Sequence, residues 1–231
     1  NNDLATDPVD GVVGFNKMPG LDIYYAADSC YLDKAMNERG RLYRRGARFR
    51  HFADYENAVF GSASSTEILL ISDTEKAKFK HHYHTSEARM HMLPPGISRD
   101  RCAGADAADR RKVIRDSLGM ARSEHLLLFV GSGFIKKGLD RAIRALANVR
   151  EAQPHQTIRL VVVGQDRERR FRRLAKKLGV HDLVHFLGGR DDVAELLLGA
   201  DTLVHPALDE AAGIVLLEAL VAGLPVICTD V

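Results

Sequence analysis

The chain has 231 residues, enough for one large or two small domains, with 45% hydrophobic and 28% charged side chains and a formal net charge of +2. That balance excludes a disordered or low-complexity polypeptide, while the near-neutral total says little about partners. Three widely spaced cysteines, Cys30, Cys102 and Cys228, suggest neither a disulfide framework nor a zinc site and point to a reducing compartment; no apolar run reaches the roughly 18 residues that span a bilayer.

In chain order, residues 12–15, 23–25, 68–71 and 90–93 read as strands, and residues 32–37, 47–60 and 74–82 as helices. Pro94-Pro95-Gly96 stops the fourth strand, because proline lacks an amide donor and restricts the residue before it. The polar stretch 98–109 reads as a linker, with a short helix over 107–118. Five apolar runs follow, at 126–130, 158–163, 184–186, 202–205 and 225–229, alternating with helical periods at 139–149, 168–178, 193–198 and 214–222. Strands and helices alternating at this spacing indicate βαβ units and a parallel sheet covered on both faces. The chain begins without Met and stops at Val231 just after a strand-like run, so both ends are expected to be cut.

Ligands of open parallel sheets bind beyond the carboxyl ends of the strands, which directs attention to residues 131–137, 164–166, 187–191 and 206–213. In Gly131-Ser-Gly-Phe-Ile-Lys136-Lys137-Gly138, glycines open the backbone to a ligand and a helix start adds partial positive charge. Lys136 or Lys137 could neutralise a diphosphate there; a tight turn with solvated lysines is the bland alternative. In Glu210-Ala-Ala-Gly-Ile-Val-Leu-Leu-Glu218, Ala211, Ala212 and Gly213 leave the amides approachable. Eight residues are a little over two helical turns, so Glu210 and Glu218 are expected on one side of a helix, with Glu210 near its start. Glu218 sits among Val215, Leu216, Leu217, Ala219 and Leu220, an unusual setting for a carboxylate without a partner, which a pair of sugar or ribose hydroxyls would suit. Glycines at 164, 188 and 189 mark two further strand ends, and Asp191 is expected to cap the helix that follows the second.

Phosphate loop, glycine turn and paired glutamates in this order resemble glycosyltransferase family 4. Within it, the segments Val12-Val-Gly-Phe-Asn-Lys-Met-Pro-Gly-Leu-Asp-Ile-Tyr-Tyr-Ala-Ala-Asp28, Val162-Val-Gly-Gln-Asp166 and His205-Pro206 are similar to the lipopolysaccharide core glucosyltransferase group. The resemblance implies an α/β fold of the GT-B type: two facing Rossmann-like domains, both incomplete here. Residues 1–97 would be the later part of the acceptor-side domain, 98–123 a linker and helix, and 124–231 the donor-binding domain. It implies a retaining transfer of a hexose, glucose in the first place, from a UDP-sugar to a heptose of the lipopolysaccharide inner core. Lys137, helped by Arg101, would bind the donor diphosphate, and Glu218 the ribose. Glu210, with the amides of Ala212, Gly213 and Ile214, would hold the sugar and β-phosphate, while Asp28 would approach the reacting sugar. Asp28, Glu210 and Lys137 are thus the catalytic candidates, and Gly131, Lys136, Gly164 and Gly188 complete the donor site. Many family members carry an arginine shortly before the lysine, where this chain has Ser132. A family 4 enzyme with another sugar or acceptor, and a noncatalytic sugar-nucleotide or membrane-binding module, are the alternatives.

No DxD metal motif occurs, and neither a metal nor another cofactor is expected; lysine and a helix start can replace a divalent ion. His81, His82 and His84 lack a completing ligand and read as surface residues. Arg39, Arg41, Arg44, Arg45, Arg48 and Arg50 fall within twelve residues free of acidic side chains, interleaved with Leu42, Tyr43 and Phe49. Such a segment suits an anionic membrane surface; a phosphorylated acceptor, a nucleic acid or plain solvent are its other possible surroundings. The resemblance favours the membrane, with no nucleic-acid partner and a cytoplasmic location at the inner face of the cytoplasmic membrane. Oligomeric state is not legible.

Overall fold

The computed structural model describes residues 9–210 and 212–230, and divides the chain into two compact units between Pro95 and Gly96. In the first unit, strands β1 (Val13–Gly14), β2 (Ile23–Ala26), β3 (Glu67–Leu70) and β4 (Met90–Met92) form a parallel sheet in that order. Helices α1 (Tyr31–Glu38), α2 (Ala47–Phe60) and α3 (Asp73–Tyr83) supply the crossovers. The core joins Tyr24, Ile68 and Leu70 of the sheet to Val59, Phe60 and Phe79, with the Phe60 and Phe79 rings stacked at 3.6 Å.

At the centre of this unit lies a carboxylate that the sequence did not single out. Glu56 is fully buried, and its two oxygens accept from the amides of Tyr31 (2.8 Å) and Leu32 (2.9 Å), the Tyr83 hydroxyl (2.6 Å) and Lys17 Nζ (2.5 Å). The first two are orphan donors at the start of α1, so a residue of α2 does the capping that no local side chain does. Lys17 also donates to the Ser29 carbonyl at 2.9 Å, and Glu75 takes the Cys30 amide at 2.6 Å. The loop after β2, which carries Asp28, is therefore held from both sides.

The second unit is a five-stranded parallel sheet of β5 (His125–Val130), β6 (Ile158–Val163), β7 (Val184–Gly188), β8 (Thr202–His205) and β9 (Val226–Cys228). Its order is β7-β6-β5-β8-β9. Helices α4 (Ala107–Ser117), α5 (Leu139–Ala152), α6 (Arg169–Lys177), α7 (Val193–Gly199) and α8 (Ile214–Val221) complete it. Leu160 and Val162 pack on one face with Ile143 and Phe171, while Val161 and Val163 pack on the other with Leu196 and Leu224, as alternation in a doubly covered sheet requires. The helix placed in the linker, α4, is built into this unit. Ile114 joins the core, Arg110 pairs with Glu195, and Arg111 and Arg115 both pair with Asp201.

Candidate functional site

From β5 the chain moves outward through β6 to β7, then returns to place β8 on the other flank of β5. The reversal makes the loops after β5 and β8 neighbours at the carboxyl end of the sheet, the position where open α/β sheets bind ligands. The first loop carries Lys136 and Lys137, the second Glu210. Their backbones touch, with the Leu208 amide donating to the Lys136 carbonyl at 2.7 Å. This approach requires glycine at 138: φ there is +72°, and a Cβ would lie 1.9 Å from the Pro206 carbonyl oxygen.

Three charged or polar side chains converge in this junction. Lys137 Nζ lies 2.5 Å from Glu210 Oε2, and the same oxygen is 2.7 Å from His205 Nε2. His205 is buried at the end of β8, and its Nδ1 has no partner. The hydrogen bond from His205 and then the Lys137 ammonium, against the cost of burial, hold the Glu210 carboxyl well below the usual carboxylate range. The Gly213 amide adds a smaller contribution in the same direction. A half-buried carboxylate is thus ionised and anchored, and a cation is poised beside it.

Helix α8 starts at Ile214 with Gly213 as N-cap in the left-handed region. Glu210 therefore lies in the preceding loop, and the expectation of two carboxylates on one helix is corrected. Only Glu218 is on α8, because the left-handed glycine breaks the helical path that the spacing suggested. At the start of α8 Ile214 is exposed and Ala212 partly so, whereas Gly213 is buried with its amide engaged by Glu210; Ala211 lies outside the described residues. Glu218 also differs from its reading as a carboxylate without a protein partner. Arg101 Nη1 stands 3.5 Å from its Oε1, so the arginine expected beside Lys137 is instead paired with the glutamate expected at the ribose.

Gly131, Gly164 and Gly188 end β5, β6 and β7, all with positive φ. A Cβ on Gly164 would sit 2.3 Å from the Gly131 carbonyl oxygen, and the Gly164 amide donates to the Gly188 carbonyl at 2.8 Å. The three loops therefore form one continuous backbone surface beside the Lys137 junction. Ser132 Oγ takes the Gln165 amide at 3.2 Å and serves this surface. Lys136 is more exposed than Lys137 and lies 3.8 Å from Asp209. Asp191 is not the cap of α7; Asp192 is the N-cap residue and pairs with Arg190.

In the first unit, Asp28 is exposed in the loop after β2. Arg39, Arg41, Arg45, Arg48 and Arg50 are exposed and Arg44 partly so, around the turn Tyr43–Arg45 and the start of α2. Tyr31, Tyr43, Phe49 and Phe52 form an aromatic cluster, with Arg39 over Tyr43 and Arg48 over Phe52. Leu42 projects from this region 81% exposed. Among the described residues no helix is long and apolar enough to cross a membrane, and no group of three His, Cys, Asp or Glu could hold a metal ion. His82 pairs with Asp33 at 3.0 Å.

The sequence profile described as "Glycosyl transferases group 1" matches residues 110–231. Over 230 residues the chain is 51% identical to lipopolysaccharide glucosyltransferase WaaG of Escherichia coli (strain K12), covering all of this chain and 61% of that protein. A crystal structure of WaaG, a glycosyltransferase involved in lipopolysaccharide biosynthesis, superposes with a TM-score of 0.94 at 50% identity, covering 100% of this chain and 62% of that one. Anabaena HepE in complex with UDP and glucose shares the fold at 19% identity, with a TM-score of 0.69 over 89% of this chain and 52% of its own. The chain thus spans about three-fifths of the length of WaaG. Its architecture is α/β of the GT-B type, a parallel-sheet Rossmann-like unit on each side of the Pro95–Gly96 boundary.

Proposed function

The chain belongs to the glycosyl transferases group 1 family, and on that premise we propose that the protein transfers a hexose, glucose in the first place, from a UDP-sugar to a heptose of the lipopolysaccharide inner core with retention of configuration. The observation that carries this reading is the junction of Lys137, Glu210 and the start of α8 at the switch point of the second sheet. The identity to WaaG supports the choice of donor and acceptor.

Departure of UDP places negative charge on the β-phosphate, and the reaction is accelerated by cationic and dipolar groups already aimed there. Lys137 and the exposed start of α8 at Ile214 are such groups, and they take the place of a divalent ion in this reading. Glu210 faces the hexose hydroxyls. Glu218, with Arg101 beside it, accepts from the ribose, and the glycine surface of 131, 164 and 188 lies under the nucleotide. In the whole protein, Lys137→Ala should lower kcat by about a hundredfold, the scale of one preorganised transition-state contact. Unchanged turnover would remove the reading. A panel of UDP-glucose, UDP-galactose and UDP-N-acetylhexosamines with truncated core acceptors fixes the substrates, and transfer should persist in excess EDTA.

The six arginines and the aromatic cluster among them support a peripheral position at the inner face of the cytoplasmic membrane. Vesicle binding should need anionic lipid and weaken with salt. Salt-insensitive binding to neutral vesicles would contradict this part.

A further inference from the structure

Glu210 Oε2 is shared. It accepts from Lys137 at 2.5 Å and from His205 at 2.7 Å, so the cation proposed for the donor diphosphate starts out held by the carboxylate proposed for the sugar. When a diphosphate arrives, Lys137 has to leave Glu210. Held only by the weaker Gly213 contact, the carboxylate would follow it, competing with the phosphate for the ammonium and abandoning its place at the sugar.

We infer that His205 is the positioning residue that holds Glu210 back during this exchange, donating from Nε2 and so releasing Lys137 to the diphosphate. The partner fixes the direction of the bond. An ionised carboxylate only accepts, so the 2.7 Å contact requires the hydrogen on Nε2, and Nδ1, buried without a partner in a residue 2% exposed, offers the ring no competing bond. The backbone reinforces this placement, because His205 closes β8 in register with Cys228 and its carbonyl accepts from Thr229. The ring therefore belongs to the sheet and stays while the loop side chains rearrange.

The inference rests on Lys137 and Glu210 forming the donor site, and the test separates the two claims. Affinity for UDP, a diphosphate without the sugar, is measured by calorimetry on the whole protein. His205→Leu should weaken UDP about tenfold, the scale of one charge-assisted hydrogen bond. His205→Gln, whose amide reaches the Nε2 position, should stay within about threefold of wild type on the same scale. In a Glu210→Gln background, where Lys137 has no carboxylate to compete with, His205→Leu should have no further effect. Wild-type UDP affinity in His205→Leu, equal loss in both backgrounds, or failure of glutamine to rescue would overturn the role of His205. If His205→Leu does not fold, His205→Asn, whose amide is too short to reach Glu210, carries the same expectations. Lys137→Ala without effect on UDP would instead overturn the donor site itself.

Discussion

Lys137 and Glu210 are 73 residues apart in the chain, yet their side chains meet at 2.5 Å because β8 returns to the flank of β5 after two intervening strands. The contact is a property of strand order. Each residue sits at the end of its own βα turn, and only the reversal of winding direction brings the two turns together. The meeting is tight enough that one side chain can disrupt it, which makes the junction testable at its backbone as well as at its charges.

Gly138 is the position where this is sharpest. A methyl group there meets the Pro206 carbonyl at 1.9 Å and must also adopt a φ of +72°. Gly138→Ala should push the Lys137 loop from the Glu210 loop and lower kcat/KM by about a hundredfold, since misplacement of about 1 Å costs that much. Gly179→Ala is the control: its φ is +71° with nothing within 4 Å, so it bears the strain alone. It should lose about 1 kcal/mol of stability with kcat/KM unchanged. Equal activity in the two variants would show that the approach of the loops is unimportant.

Much of the second unit was legible because buried parallel strands are apolar runs rich in β-branched residues. Residues 158–163 and 202–205 were read with the bounds that β6 and β8 have. The βα turn that carries Lys137 and the helix that carries Glu218 were legible for a related reason, since glycines, a strand end and a helix start leave a local signature. The pairing of Lys137 with Glu210, of Arg101 with Glu218, and the contact of His205 with Glu210 were not, because each depends on how separate segments meet in the fold. Helix α4 was read beside a linker for a physical reason too. Residues 107–117 are mostly polar, and they dock through Arg110, Arg111 and Arg115 onto Glu195 and Asp201 rather than through an apolar stripe. Glu56 left no trace, since a buried acid declares itself only through partners distant in sequence.

That polar docking gives a stability prediction. Arg115 is 9% exposed and donates to the Gly199, Ala121 and Glu124 carbonyls as well as to Asp201. Arg115→Met keeps the stem and strands these acceptors. Urea unfolding should show a loss of about 3 kcal/mol, the usual cost of breaking a buried pair from one side. A loss below about 1 kcal/mol would mean that the Arg115 contacts add little to the docking of α4.

Glu56 provides a corresponding prediction for the first unit. Each oxygen faces donors: Oε1 takes Lys17 and the Tyr31 amide, and Oε2 takes the Leu32 amide and Tyr83. Glu56→Gln must turn an NH2 group toward two donors whichever way the amide is placed, and it removes the charge opposite Lys17. The expected cost is about 3–5 kcal/mol in chemical denaturation. A near-neutral result would show that the first turn of α1 and the loop at Lys17 are secured by other contacts.

The same carboxylate governs Cys30, which is buried while Cys102 and Cys228 are exposed. Burial, and then the charge of Glu56, push the Cys30 thiol from an ordinary 9.0 up to about 12. At pH 8 its thiolate fraction is then about one part in ten thousand, and only the thiolate is alkylated. Iodoacetamide followed by mass spectrometry should therefore modify Cys102 and Cys228 and leave Cys30 intact until denaturant is added. Linkage adds a pH dependence. The folded state holds the Cys30 proton to about 12, whereas the unfolded thiol releases it near 9, so the proton's contribution to stability is complete below pH 9 and is lost as pH rises through that window. Cys30→Ala should remove this part of the alkaline decline in stability. Labelling of Cys30 at the rate of the exposed thiols, or an alanine variant with the same alkaline slope as wild type, would show that the thiol is not held by its burial against Glu56.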